Sequence, residues 1–289
     1  MIKSGVSYTS DKFIPKQYKY EDRYIAFLDI LGFTSFIQKS LDNPDAQRNI
    51  NEALTSIYIS QPFKWLVDPE GKHLNLPQSS DGIRTYVFSD NILVSAPLTP
   101  GGLNKLVNEA WKLFGNLLYS CSVLLRGAIV KGKLYDDTQI VYGPGLIDAL
   151  KKESEVAYYP RVVLDAEVAK TYIAYANDNK SGIPVREYDP TYGKEIALIL
   201  NAIPIKEDVD GISFIDVLSC YPTWLEKYDP AMDKRSLLTH QKWLSCMKSF
   251  IEGNLEAQQD EKIKMKYVWL KNYLNLSLDK YKHYGIGKL

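Results

Sequence analysis

Two aspartates set in apolar, β-rich sequence are the residues best placed to do chemistry. Asp29 stands in Tyr24-Ile-Ala-Phe-Leu-Asp-Ile-Leu-Gly-Phe-Thr-Ser-Phe-Ile37, an apolar run that breaks at Gly32 into a helix. An ionised carboxylate at the end of such a run is expensive to bury without a metal ion or a basic partner, so Asp29 is the first candidate. Gly32 permits a sharp turn. Thr34 and Ser35 are positioned to cap the helix that follows, which leaves backbone N–H groups pointing outward where a phosphate would sit. The second carboxylate comes from Arg84-Thr-Tyr-Val-Phe-Ser-Asp-Asn-Ile-Leu-Val-Ser95, two short strands joined at Ser89-Asp90-Asn91. In a βαββ arrangement the first strand and this hairpin are neighbours, so Asp29 and Asp90 meet across the sheet. Paired carboxylates facing a phosphate-binding turn point to two-metal phosphoryl transfer.

The elements that must position these residues are legible in order. A strand over 23–30 leads into helical periodicity through Phe36 and Ile37, and past Asn43-Pro44-Asp45 through Ile50, Leu54, Ile57 and Tyr58. A polar, breaker-rich loop follows at 68–82, then the Asp90 hairpin. Gly101-Gly102 opens the most regular helix, with Leu103, Leu106, Val107, Ala110, Trp111, Phe114, Leu117 and Leu118 on one face. Strands are expected at 122–132, 139–143 and 161–164, with a helix from Gly143-Pro144-Gly145 to before Tyr159-Pro160. Strand–helix–strand–strand–helix–strand is the ferredoxin-like plan. Beyond about residue 185 the pattern changes to short apolar runs at 184–188 and 196–203 and three helical stretches near 212–227, 232–253 and 256–276. The expected division is an arm at 1–20, a catalytic domain at 21–184 and a mostly helical extension at 185–289.

Composition narrows the class. A chain of 289 residues, 45% hydrophobic and 12% aromatic, can bury a large core. Lys+Arg and Asp+Glu both number 35, so there is no overall basic field to draw the protein to nucleic acid or anionic lipid. No run of 18 apolar residues occurs, and a cytoplasmic protein with neither nucleic-acid nor membrane partners is expected. Cys121, Cys220 and Cys246 are odd in number and widely spaced, which favours reduced core thiols over a disulfide or zinc site. His73, His240 and His283 are far in sequence from both aspartates and are assigned no role.

With both aspartates placed, residues of about 22–170 resemble the catalytic domain of class III nucleotidyl cyclases. Asp29-Ile30 followed by Gly32-Phe33-Thr34 matches that family's first strand, and Ser89-Asp90 its hairpin. Arg126-Gly127 with Gly132 matches a later strand, and Tyr142-Gly143 with Ala149 an aromatic-Gly pair opening a helix. The resemblance implies two divalent cations, Mg²⁺ or Mn²⁺, held by Asp29, Asp90 and the backbone carbonyl of Ile30. It also implies a triphosphate over Gly32, Phe33 and Thr34, with Arg126 a further phosphate ligand. Metal ligands then come from one subunit and helix cations from the other, in a head-to-tail homodimer.

Departures from the family pattern bear on the substrate. Purine cyclases carry a Lys or Glu four residues before the hairpin Asp, and an Asp or Cys three before the aromatic-Gly glycine. Those positions hold Tyr86 and Ile140 here. A tyrosine fills space and donates one hydrogen bond, which suits a smaller ring. On this basis the chain is similar to the pyrimidine cyclases of the Pycsar anti-phage systems. The substrate implied is UTP or CTP, and a separate effector would respond to the cyclic product. The ribose-orienting Asn position holds Ile147, with Asp148 beside it, and the transition-state Arg position holds Lys151. Lysine supplies charge without the guanidinium fork. Alternatives are a nucleotide-binding module of the same fold without turnover, a purine cyclase, and a polymerase-like or diguanylate-cyclase-like palm. The palm would want a more acidic hairpin than Phe88-Ser-Asp-Asn91.

Overall fold

The computed structural model describes residues 19–60, 82–137, 140–178, 183–189, 194–200, 204–219 and 230–289. The expected arm before residue 19 and the connecting loop at 68–81 lie outside the described residues. The first six elements are β1 (Glu21–Ile30), α1 (Phe33–Ser40), α2 (Pro44–Ser60), β2 (Arg84–Phe88), β3 (Asn91–Pro97) and α3 (Pro100–Cys121). They are followed by β4 (Leu125–Asp136), β5 (Val141–Tyr142), α4 (Pro144–Glu155), β6 (Val162–Leu164) and α5 (Ala166–Asp178).

The strands align in the order β2-β3-β1-β4-β6, with every neighbouring pair antiparallel except β4 and β6. The first four form the expected ferredoxin-like core, a mixed α and β arrangement. β1 is central and buried on both faces, which is why its sequence reads as a nearly unbroken apolar run. Its even-numbered residues Tyr24, Ala26, Leu28 and Ile30 join Leu103, Leu106, Val107, Ala110 and Phe114 of α3 in the main core. Truncating a fully buried member such as Leu106 to alanine would cost about 2–5 kcal/mol. Its odd-numbered residues Ile25 and Phe27 face the other way, against Leu93, Val130, Leu134 and Ala149 of α4. Asp29, Arg23, Tyr86, Arg84 and Arg126 share that second face by register.

Several expectations are met with adjusted limits. β4 runs on through Asp136 and β5 shrinks to two residues. α3 starts at Pro100 because Thr99 caps it, its side chain accepting from the Gly102 N–H. α5 lies where the sequence pattern assigns no element. Beyond it, β7 (Ile183–Asp189) and β8 (Lys194–Leu200) form a separate hairpin. The helix expected from 212 begins instead with β10 (Ser213–Ile215), which pairs with β6 and with β9 (Ile205–Glu207) and extends the main sheet. Its three residues are buried or half-buried, with Phe214 packed on Trp269 and Tyr273, and sheet pairing outweighs helical periodicity. α6 (Pro230–Ala257) and α7 (Glu261–Leu278) then supply the helical C-terminal part. Cys246, expected as a core thiol, is free and exposed on α6. Among the described residues no helix is long and apolar enough to cross a membrane.

Candidate active site

β1 ends at Ile30 and Gly32 takes a left-handed conformation, φ 79°, that turns the chain into α1. No side chain caps α1: Gly32 itself is the N-cap, and neither Thr34 nor Ser35 plays the expected capping role. The first turn of α1, with Phe33 and Thr34, therefore keeps uncapped backbone N–H groups. The β2–β3 hairpin turns at Ser89-Asp90, with Ser89 at φ 55°. It is stitched to β1 by a backbone hydrogen bond in which Ile30 N–H donates to the Asp90 carbonyl at 3.0 Å. Asp29 faces Asn91 across β1 and β3, so both candidate carboxylates stand at the same end of the sheet.

Asp29 is not alone. Arg126 lies opposite it on β4, and its Nε–H donates to Asp29 Oδ2 at 2.9 Å. The same Nε stands 2.6 Å from Oε1 of Glu153, near the end of α4. Burial pushes the Asp29 carboxyl above its ordinary range, Arg126 pulls it back and the Asp90 charge pushes it up again. Glu153 is raised for the same first reason, against the pull of Arg126. A second cation faces this group from α7. Lys266 lies over the Tyr158 ring, 5.9 Å from its centroid, and its charge couples to Arg126, Asp29 and Glu153. Burial, then Arg126, lowers its pKa.

α4 can reach over this face because its first turn lies almost on the backbone of β4. A side chain on Gly145 would come within 2.5 Å of Ile25 Cδ1 and 2.9 Å of Gly132. Gly145, Ala149 and Glu153 form the buried stripe of α4. Ile147, 66% exposed, and the exposed Asp148 and Lys151 lie on its outer side. Within one chain the ribose and transition-state candidates are thus not brought to Asp29 and Asp90.

Tyr86 sits on the same face, packed with the Ile25, Phe27 and Leu93 cluster. Its hydroxyl donates to Asp136 Oδ1, and the Ser95 hydroxyl donates to Asp136 Oδ2 at 3.2 Å. Arg84 donates to the Asp136 carbonyl at 2.7 Å, and Arg23 Nε donates to Ser95 Oγ at 3.1 Å. Burial and the Asp136 carboxylate push the phenol well above its ordinary pKa. The expectation that Tyr86 donates to a ligand is therefore corrected: its one proton is already given to Asp136. Ile140, the other base-reading candidate, is exposed with its backbone N–H bound by Asp137. Glu153, Lys266 and Asp136 were not singled out from sequence. Glu153 ends a Lys-Lys-Glu run that reads as a solvated face, Lys266 lies in a helical stretch whose apolar residues read as a packing face, and Asp136 lies where a loop is expected.

The donor set fits hard divalent cations. Asp29 and Asp90 offer oxygen ligands at one end of the sheet, and a guanidinium already stands in as the cation at Asp29. Among the described residues no three His, Cys, Asp or Glu side chains converge on one point. That suits Mg²⁺ or Mn²⁺, which are commonly held by one or two carboxylates with substrate phosphates and water completing the shell.

No protein-family model and no curated protein matches the sequence. Among solved structures, a class III adenylyl cyclase-like ATP-binding protein from Pseudomonas aeruginosa aligns with 53% of this chain and 35% of its own, at 10% identity and a TM-score of 0.35. The catalytic core of a rhodopsin-guanylyl cyclase with converted specificity, in complex with ATPαS, aligns over 68% of this chain and 96% of its own, at 13% identity and a TM-score of 0.39. The monomeric guanylyl cyclase domain of the RhoGC fusion protein from the aquatic fungus Blastocladiella emersonii gives 68%, 95%, 11% and 0.40 in the same order. Likeness at this level assigns no residue a role.

Proposed function

We propose that the protein is a pyrimidine nucleotide cyclase, converting UTP or CTP to the 3′,5′-cyclic monophosphate and pyrophosphate. The observation that carries this reading is the meeting of Asp29 and Asp90 at one end of a ferredoxin-like sheet, beside an uncapped helix start. In the reaction the ribose 3′-oxygen attacks the α-phosphorus, and the bond to the oxygen bridging the α- and β-phosphorus breaks. Its electron pair leaves with pyrophosphate, and the 3′-hydroxyl proton passes to solvent. Two divalent cations bound by Asp29, Asp90 and the Ile30 carbonyl would lower the pKa of the 3′-hydroxyl and neutralise the triphosphate. The chain's own part is positional. The first turn of α1 offers N–H groups to phosphate oxygens, and Tyr86 presents a fixed phenol to the base.

Pyrimidine preference is supported by Tyr86. Its ring packs against the Ile25, Phe27 and Leu93 cluster and would leave less room on that face for a purine, and with its proton committed to Asp136 its oxygen would present lone pairs to a ligand. Those match the N3–H of uracil or the amino group of cytosine. Ile147, Asp148 and Lys151 point outward, which fits their use on a partner subunit in a homodimer. The biological role that follows from the resemblance is a cytoplasmic second messenger in anti-phage defence, acting on a separate effector.

The test is incubation of the purified protein with ATP, GTP, CTP and UTP separately in Mn²⁺, with products read by mass, beside an Asp90→Ala control. Cyclic UMP or cyclic CMP, absent from the control, is expected; cyclic AMP or cyclic GMP overturns the pyrimidine assignment. A second reading, a nucleotide-binding module without turnover, is favoured by one observation: Asp29 already has a cation in Arg126. Absence of product from every triphosphate would favour it.

A further inference from the structure

The Nε–H of Arg126 stands between two carboxylates. Its Nε–H points to Asp29 Oδ2, while Glu153 Oε1 lies closer to the same nitrogen, at 2.6 Å, without the angle of a hydrogen bond. Both acids are largely buried, Glu153 at 8% and Asp29 at 17% side-chain exposure. Glu153 Oε1 has no hydrogen-bond donor, an arrangement that a buried carboxylate does not hold without cost. A divalent cation arriving at Asp29 would face the guanidinium across a few ångströms of low-dielectric protein, and the two cations would repel. A half-buried guanidinium that lost Asp29 with no second acid beside it would be left unpaired. Glu153 removes that difficulty, because a small rotation turns the N–H from one oxygen to the other.

We propose that Glu153 is a positioning residue that takes Arg126 over from Asp29 when a divalent cation binds. The proposal rests on the metal-dependent reading above. In the state described here Arg126 occupies Asp29 and competes with the cation. With the cation bound, Arg126 belongs to Glu153 and is held beside the phosphate site in place of drifting into solvent. α4 carries Glu153, and its Gly145 contact with β4 keeps the helix close enough for the exchange. Lys266 faces the same three groups from α7, so the C-terminal helices border the exchange.

The test measures Mn²⁺ binding to the full-length chain without nucleotide, from the electron paramagnetic resonance signal of free Mn²⁺. Arg126→Met should tighten binding, and Glu153→Gln should weaken it by about tenfold, since Arg126 is then left wholly to Asp29. In the Arg126→Met background Glu153→Gln should change nothing, because there is no guanidinium to take over. Equal weakening in both backgrounds would mean that the Glu153 charge attracts the cation directly, and no weakening in either would mean that it plays no part; each result overturns the proposal. Arg126→Gln serves as the background if melting shows that Arg126→Met does not fold. The metal reading is checked separately by Asp29→Asn. If that variant binds Mn²⁺ as the parent does, or the parent binds none, the reading fails and the exchange with it.

Discussion

Tyr86 shows how much one hydrogen bond changes a residue's meaning. Read as a strand tyrosine it is a space-filler with a proton to offer, but the end of β4 brings Asp136 to its hydroxyl and takes that proton. What remains for a ligand is an acceptor held rigidly by the Ile25, Phe27 and Leu93 cluster. Tyr86→Phe keeps the packing and removes the acceptor, so kcat/KM for the preferred pyrimidine triphosphate should fall about tenfold, in line with one lost hydrogen bond. Asp136→Asn should instead loosen the hold on the hydroxyl proton and change the ratio of UTP to CTP turnover, measured by competition with both substrates present. An unchanged ratio in both variants would remove Tyr86 from base recognition. Neither Thr34 nor Ser35 caps α1, and this too was invisible locally: a cap depends on the backbone angle at Gly32, which only the turn out of β1 decides.

The element that ties the C-terminal helices to the sheet is α7, and its anchor is Arg161. This side chain is 1% exposed, ion-paired with Asp208 and Asp210, and 5.8 Å from the ring centroid of Trp269, which stacks on Tyr159. Asp208 also accepts from Trp269 Nε1 at 2.7 Å, so one carboxylate joins the β9–β10 turn, the loop before β6 and α7. Asp208→Asn should cost about 2 kcal/mol in denaturant unfolding, since it weakens the pairing of a buried guanidinium. Asp210 makes this anchor sensitive to pH. The Arg161 hydrogen bond holds its carboxyl below the ordinary value, so the native state binds that proton less readily than the unfolded chain. Its stabilisation is complete above the unfolded value of about 3.9 and is lost as pH falls through the lowered native value. Parent and Asp210→Asn proteins should differ in melting temperature at neutral pH and converge in strong acid. A difference that persisted there would assign the effect to shape in place of charge.

At the scale of the molecule, the inner stripe of α4 serves its own sheet while the outer residues Ile147, Asp148 and Lys151 face away. If a second copy supplies Lys151, an equal mixture of Asp90→Ala and Lys151→Ala proteins, each inactive alone, should recover about a quarter of parental activity, because half the dimers carry one intact site of two. No recovery would place all catalytic groups in one chain. The sequence by itself determined the ferredoxin-like order of elements, since β1, the hairpin, α3 and α4 carry their periodicities in contiguous residues. It also determined the candidacy of Asp29 and Asp90, since a charge in an apolar strand is conspicuous without coordinates. Contacts between distant segments were decided by the tertiary structure: Arg126 on Asp29, Glu153 on Arg126, Asp136 on Tyr86, the Lys266 charge near Asp29, and β10 where a helix was expected. Each of these depends on sheet register or helix docking, and a partner 27 or more residues away leaves no periodic trace in the local pattern that a sequence reading uses.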